Sequence, residues 1–492
     1  MRRATLSLLF SFAILFTYSQ SATVKDINRS TPFNHALAPL RFLASDELMG
    51  RGTTRPEIHI AARYISEQFR SFGLKETPGT QDYFQVFHLP FISAPTSGSF
   101  VAGNKTYTIG KDFVQARGFA SEIDAPVVFA NFGSDADLTN IDVKGKIVVV
   151  NMGENNSSPV MTMRRFMDAK QKRLKELGAL ALVERYWHTA EDWELPRQNF
   201  RAQRPQNPLD SSLPVFIVHD PAGELPDAVK NAATASIKVS GNHPFNLGAK
   251  NVIGWVEGTD PKLKNQFIVL TAHYDHIGVS PTPKMEERKS DSIYNGARDN
   301  AIGVTGMIDA AGYFSQHPAK RSILFIAFTA EEMGMLGSKY YAANPTIALD
   351  KIVYNLNIDN GGYNDTGRVN VIGLGRTSAD ADLKKATAAY GLTLAGDPAP
   401  EQGLFDRSDN VSFAAKGIPA PSYGMGVAKL DANIMKRYHQ LSDEIGDIDM
   451  NYILKYIRSY ILAAKLIADN PVQPTWTAGD KYEDAWKQLF SK

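Results

Sequence analysis

His273 and Asp275 stand two residues apart in Thr271-Ala-His-Tyr-Asp-His-Ile-Gly278. Asp299 lies in the Gly/Ala-rich stretch Asn295-Gly-Ala-Arg-Asp-Asn-Ala-Ile-Gly303, where backbone can come close to an ion. Glu331 and Glu332 are adjacent in Phe328-Thr-Ala-Glu-Glu-Met-Gly334. Asp359 precedes a turn with Gly361-Gly362, and His439 sits in the polar run Arg437-Tyr-His-Gln-Leu-Ser-Asp443. Imidazoles and carboxylates are hard to borderline donors that suit divalent metals. A site for two metals needs one carboxylate that bridges them and a few more nitrogen or oxygen ligands on each. It also needs an open position for water and a base near the metals but not bound to them. These residues offer such a set. Of the two adjacent glutamates, one can ligate while the other handles a water proton. The remaining histidines, His35, His59, His88, His188, His219, His243, His276 and His317, are read as structural.

Each of these residues must be held where an apolar strand runs out. Phe267–Thr271, Ile323–Phe328 and Lys351–Ile358 read as strands, and Val304, Met307, Ile308, Ala311 and Phe314 recur at helical spacing between the first two. Strand, helix, strand in this order is the unit of a parallel or mixed α/β sheet. Ligands in such sheets bind beyond the carboxyl ends of the strands. The expected fold is therefore α/β, with a mixed, mostly parallel central sheet flanked by helices. Arg368–Ile372 and Ile418–Tyr423 are further strands, and Ala379–Tyr390 and Tyr452–Asp469 further helices. Ile58, Ala62, Ile65, Phe69 and Phe72 mark one face of an early helix that starts near Pro56 and stops at Gly73.

At 492 residues the chain exceeds one ordinary core. The texture changes near Gly98, with strands at Phe100–Thr108, Ala125–Ala130, Gly178–Glu184 and Leu213–His219, a turn followed by a buried strand over Asp142–Asn151, a helix at Met163–Leu177 and a long polar loop over Trp187–Ser212. Residues 97–245 are read as a small inserted α/β domain that splits the larger one into 22–96 and 246–470, with a tail at 471–492 carrying Trp476 and Trp486. Residues 1–21 read as an export signal: Arg2 and Arg3, an apolar run Leu6–Phe16, and small residues Ser19 and Ser21 before a cut at Ala22. The apolar run is shorter than the roughly 20 residues a span needs. The expected location is thus periplasmic or secreted, in a bacterial envelope, with no membrane span after signal removal. A net charge of +1 argues against nucleic-acid binding driven by bulk charge. The absence of cysteine excludes disulfides, thiolate catalysis and cysteine metal sites.

Taken in order, His273-x-Asp275, Ala297-Arg-Asp299-Asn-Ala-x-Gly303, Ala330-Glu-Glu-x-Gly334, Asn357-Ile-Asp359 and Tyr438-His439 resemble the co-catalytic zinc aminopeptidase family. That family also holds glutamate carboxypeptidase, glutaminyl cyclases and the transferrin receptor. Lys144–Val150, Glu176–Leu182 and Leu213–Val218 resemble the protease-associated domain often inserted in it. The resemblance implies two zinc ions, with cobalt or manganese as possible substitutes. His273 and Asp359 would bind one, Glu332 and His439 the other, and Asp299 both. Asp275 would hydrogen-bond the His273 ring, and Glu331 would be the general base acting on a metal-bridging water. It also implies a cis bond between Asp299 and Asn300. The expected activity is removal of N-terminal residues from peptides. Alternatives are a glutamate-releasing carboxypeptidase, a glutaminyl cyclase or a non-catalytic binding protein. Asn357 is an alternative to Asp359 as ligand. Arg298 departs from the family pattern beside the bridging residue, and Asn410 does so in Ser408-Asp409-Asn410. Arg51, Arg298, Arg407 and Tyr423 are candidates for lining a substrate pocket.

Overall fold

A computed structural model describes residues 22–156, 160–190, 192–193, 197, 203–280 and 291–491. The export signal expected at 1–21 lies outside the described residues, as do parts of the loops expected at Trp187–Ser212 and after Gly278. No helix among the described residues is long and apolar enough to cross a membrane. The chain divides into two compact units, one formed by residues 1–87 and 248–492 and the other by His88–Leu247. The sequence reading puts the inserted segment at 97–245.

The first unit carries the helices α1 (Ile58–Ser71), α2 (Ile302–Gln316), α3 (Leu336–Ala343), α4 (Asp380–Ala388), α5 (Met450–Asp469) and α6 (Glu483–Phe490). The strands of its main sheet include β1 (Pro244–Val256, of which 248–256 lie in this unit), β2 (Phe267–His273), β3 (Ser322–Phe328), β4 (Ile352–Ile358), β5 (Arg368–Ile372), β6 (Thr393–Ala395) and β7 (Ser422–Met425). They run side by side in the order β6-β5-β7-β4-β2-β3-β1. Strands β7, β4, β2 and β3 are mutually parallel, and β1 and β5 are antiparallel to their inner neighbours. All seven residues in each of β2, β3 and β4 are buried, as the continuous apolar runs require of strands covered on both faces.

The two faces of the sheet have separate cores. Ile268, Leu270 and Ala272 of β2 pack with residues of α1, α2, α4 and α5. Phe267 and Val269 point the other way, toward Tyr341, Phe413 and Trp476. The tail therefore lies on the core: Trp476 is buried and donates its indole N–H to the Gly417 carbonyl at 2.9 Å.

Two expected strands are corrected. Ile418–Tyr423 is not one strand; β7 begins at Ser422, because Pro419 and Pro421 have no N–H to donate. Their carbonyls instead accept from the backbone of Asn355 and Asn357. In the second unit, Phe100–Thr108 is a hairpin of Ser97–Ala102 and Lys105–Thr108, turning at Gly103-Asn104 with Gly103 at φ 58°. The second unit's sheet has four parallel strands at its centre, Ser121–Phe129, Ile147–Asn151, Ala181–Tyr186 and Val215–His219, with antiparallel strands on both sides.

Candidate metal centre

The parallel strands end together, and the residues just past each end are polar. β2 finishes on His273, β3 is followed by Glu331 and Glu332, and β4 by Asp359. Asp299 enters from the turn ahead of α2 and His439 from the loop before α5. Two non-glycine residues here take left-handed backbone, Ala330 at φ 57° and His439 at φ 56°. Such conformations persist where the surroundings fix them and cluster at functional sites. The Asp299–Asn300 peptide bond is cis.

The side chains form two groups that share one carboxylate. His273 Nε2 lies 3.3 Å from Asp299 Oδ1 and 3.2 Å from Asp359 Oδ1. His439 Nε2 lies 3.1 Å from Asp299 Oδ2 and 3.2 Å from Glu332 Oε2. Asp299 thus gives one oxygen to each group. Two donors about 2.0–2.1 Å from a zinc ion at a tetrahedral angle stand about 3.3 Å apart. The observed separations match that spacing, so both groups fit zinc. The charge also fits. Asp299, Glu331, Glu332 and Asp359 converge in a largely buried space, and like charges there need a cation to coexist.

The electrostatics separate the two adjacent glutamates. Burial raises the Glu331 carboxyl well above the usual range, and the charges of Asp359 and Asp409 add to this against His273. Burial and the Asp299 charge would raise Glu332 too, but hydrogen bonds from His276 and His439 outweigh them and lower it. Burial opposes the charge on Asp299 as well, yet bonds from His273 and His439 hold it well below its ordinary value. For His273, burial is overcome by Asp359 and Asp299, which raise it. The two neighbouring carboxylates are thus pushed in opposite directions.

Asp275 acts differently from the sequence expectation. The His273 ring nitrogen Nδ1 bonds the Asp275 backbone carbonyl at 3.1 Å, and the Asp275 carboxylate is 3.8 Å away. That carboxylate instead accepts the backbone N–H groups of Glu331 at 3.1 Å and Glu332 at 3.3 Å, and the Thr53 hydroxyl at 3.0 Å. It fixes the glutamate pair, and its carbonyl fixes the ring. Asn357 is committed elsewhere: it accepts from Thr271 and donates to Ser408 and Ser422, away from the donor groups.

The expected pocket residues are mostly structural. Arg51 is buried, and its guanidinium donates to the carbonyls of Leu43, Tyr274, Asn295 and Gly296. It ties the N-terminal segment to the loops that carry His276 and Asp299. Arg298 pairs with Asp443 at 3.0 Å and Asp447 at 2.8 Å. Tyr423 is buried against Ser459. Arg407 is exposed. Asn410 holds the carbonyls of Phe405 and Ala420.

Two residues at the centre escape the sequence reading. Asp409 is fully buried, and burial pushes its carboxyl up to about 7. His276 places Nδ1 2.8 Å from Glu332 Oε1. Its spacing, three residues beyond His273 and just past a strand end, was the available signal.

Residues 251–463 match the model of peptidase family M28. The matched segment is similar to that family. It contains every residue of the two donor groups. Over 329 residues, 66% of its length, the chain is 25% identical to aminopeptidase YwaD of Bacillus subtilis. It is also 25% identical over 383 residues, 73% of its length, to a probable leucine aminopeptidase 2 of Aspergillus oryzae. The matches span 63% and 65% of those relatives' own lengths. The fold is that of an aminopeptidase from Aneurinibacillus sp. strain AM-1, with a TM-score of 0.63 at 22% identity, covering 92% of this chain and 97% of that one. A zinc aminopeptidase from Bacillus subtilis superposes with a TM-score of 0.59 at 21% identity, covering 93% and 99%. The M28 segment and its neighbours thus share a mixed α/β sheet flanked by helices.

Proposed function

We propose that this protein is an exported, zinc-dependent aminopeptidase that uses two metal ions and Glu331 as general base. The observation that carries the reading is Asp299, whose two oxygens serve two separate histidine–carboxylate groups beside one glutamate of raised pKa. His273 and Asp359 would hold one zinc, His439 and Glu332 the other, and Asp299 both. Bound zinc would supply Lewis acidity, polarising the scissile carbonyl and lowering the pKa of water. Glu331 takes a proton from the attacking water and gives it to the leaving amine nitrogen. Asp275 keeps Glu331 and Glu332 in register through their backbone N–H groups, so one can carry protons while the other stays anionic. Removal of N-terminal residues is favoured by the names of the related proteins, which are aminopeptidases. Export rests on the Arg2-Arg3 start and the apolar run to Phe16. Residues 97–245, which fall within the unit His88–Leu247, are read as a protease-associated-like domain on the resemblance of Lys144–Val150, Glu176–Leu182 and Leu213–Val218.

Short peptides, free or blocked at either end, are incubated with zinc-loaded protein and read by mass spectrometry. The expected product lacks one N-terminal residue and does not form from N-acetylated peptide. Loss from the C-terminus would make the protein a carboxypeptidase, and cyclisation of N-terminal glutamine without cleavage a cyclase. Glu331→Gln is expected to keep its zinc and lose about 10²–10⁴-fold in turnover. Normal turnover in that variant would remove Glu331 from its role.

A further inference from the structure

Three histidines, not two, stand within reach of the shared aspartate. His276 Nδ1 is 2.8 Å from Glu332 Oε1 and 3.9 Å from Asp299 Oδ2. His439 approaches the same glutamate from its other oxygen, Oε2. The two rings meet edge to face with centroids 5.7 Å apart. The His276 ring is fully buried and packs against Gly296, where a Cβ would come within 2.5 Å of ring atom Cδ2. Its backbone N–H bonds the Arg51 carbonyl at 3.2 Å. The ring therefore has little freedom to turn.

We propose that His276 is a positioning residue that donates its Nδ1 hydrogen to Glu332 Oε1 and leaves Oε2, beside His439, as the single ligating oxygen. This rests on the zinc reading above. Two distances argue against direct ligation by His276. At 3.9 Å from Asp299 Oδ2, a shared ion would need an angle far wider than tetrahedral. At 2.8 Å from Oε1, the nitrogen is at hydrogen-bond length, shorter than the roughly 3.3 Å between tetrahedral ligands. The tautomer agrees. Among the described residues, His276 Nε2 is buried with no hydrogen-bonding partner. With the proton on Nδ1, Nε2 leaves only a lone pair unmet; with Nδ1 facing a metal, Nε2 would carry a buried, unmet N–H. Orphaned buried N–H groups are the rarer case.

A ligating carboxylate held through its second oxygen keeps one orientation, and removing such a support typically costs 10–100-fold in metal affinity. Metal-free protein is titrated with zinc against a chromophoric chelator, and cobalt-loaded protein is read by visible absorption. H276A is expected to bind one zinc about 10–100-fold more weakly than the wild type. H276N, whose amide nitrogen sits near the Nδ1 position, is expected to recover most of that loss, and H276Q, whose amide reaches the Nε2 position, is not. Circular dichroism of the metal-free variants checks folding; if H276A fails it, the contrast between H276N and H276Q decides. Wild-type affinity in H276A, or in H276Q as well as H276N, would overturn the proposal. So would equal loss in H276N and H276Q with a weakened cobalt spectrum, which would make His276 a direct ligand. A wild-type chain that binds no zinc would overturn the zinc reading itself, and this inference with it.

Discussion

Arg298→Met isolates the contact that anchors the His439 loop to the Asp299 turn. Arg298 is almost fully buried, and its guanidinium donates to Asp443 Oδ1 at 3.0 Å, Asp447 Oδ1 at 2.8 Å and the Glu444 carbonyl at 3.1 Å. Asp443 is buried to 1% exposure, and its carboxylate also accepts the backbone N–H groups of Arg298 and Asp299. Methionine keeps much of the stem volume but takes from Asp443 the guanidinium paired with it, leaving His276 as the nearby group that still opposes the rise of its carboxyl. Breaking a buried pair from one side costs about 3–5 kcal/mol. The Asp447 contact adds little, because that carboxylate is 45% exposed. Burial already raises the Asp443 carboxyl, with Arg298 opposing that rise, so the variant raises it further. A carboxyl raised in the folded state binds more protons than it does unfolded, so stability falls as pH rises through that window. The deficit of Arg298→Met should therefore be smallest near pH 5 and largest near pH 8. Denaturant unfolding of the metal-free protein at both values measures it. A loss under about 1 kcal/mol at pH 8, or a loss that grows toward acid, would refute the argument.

Three further outcomes are expected. Removing zinc with a chelator should lower the thermal midpoint, since ligand at 100 times its dissociation constant stabilises by about 2.7 kcal/mol; calorimetry with and without chelator checks it. Asp309, buried in α2, has its carboxyl raised well above the usual range by burial, with Arg458 opposing, so the folded state keeps a proton that the unfolded state has lost. Asp309→Asn should accordingly stabilise at neutral pH by an amount that rises up to about 1.4 kcal/mol per pH unit above pH 4 and vanishes below it, as unfolding midpoints across pH would report. Trp476→Ala should cost about 3–5 kcal/mol in denaturant unfolding, because the indole is buried against Phe405 and bonded to Gly417.

The sheet and the ligand types are legible in the chain alone. Runs such as Phe267–His273 and Ser322–Phe328 are apolar at nearly every position, which suits a strand buried on both faces, and the acids and histidines begin where those runs end. Local chemistry also marks α1 and α5, whose apolar residues repeat at helical spacing. Tertiary packing sets what each polar group does, because partners in this site come from segments far apart in the chain. Asp275 meets the backbone of Glu331 across 56 residues, Arg298 meets Asp443 across 145, and Arg51 meets Gly296 across 245. Type and spacing mark Arg298 and Arg51 as available cations; only their surroundings show that buried acids and carbonyls already occupy them. The same holds for His276: its place just past a strand end marks it as near the site, and only the packed fold, with the bare backbone of Gly296 against its ring, shows the 2.8 Å contact with Glu332. Periodicity is a property of neighbours along the chain, whereas a hydrogen bond's partner is a property of the packed fold.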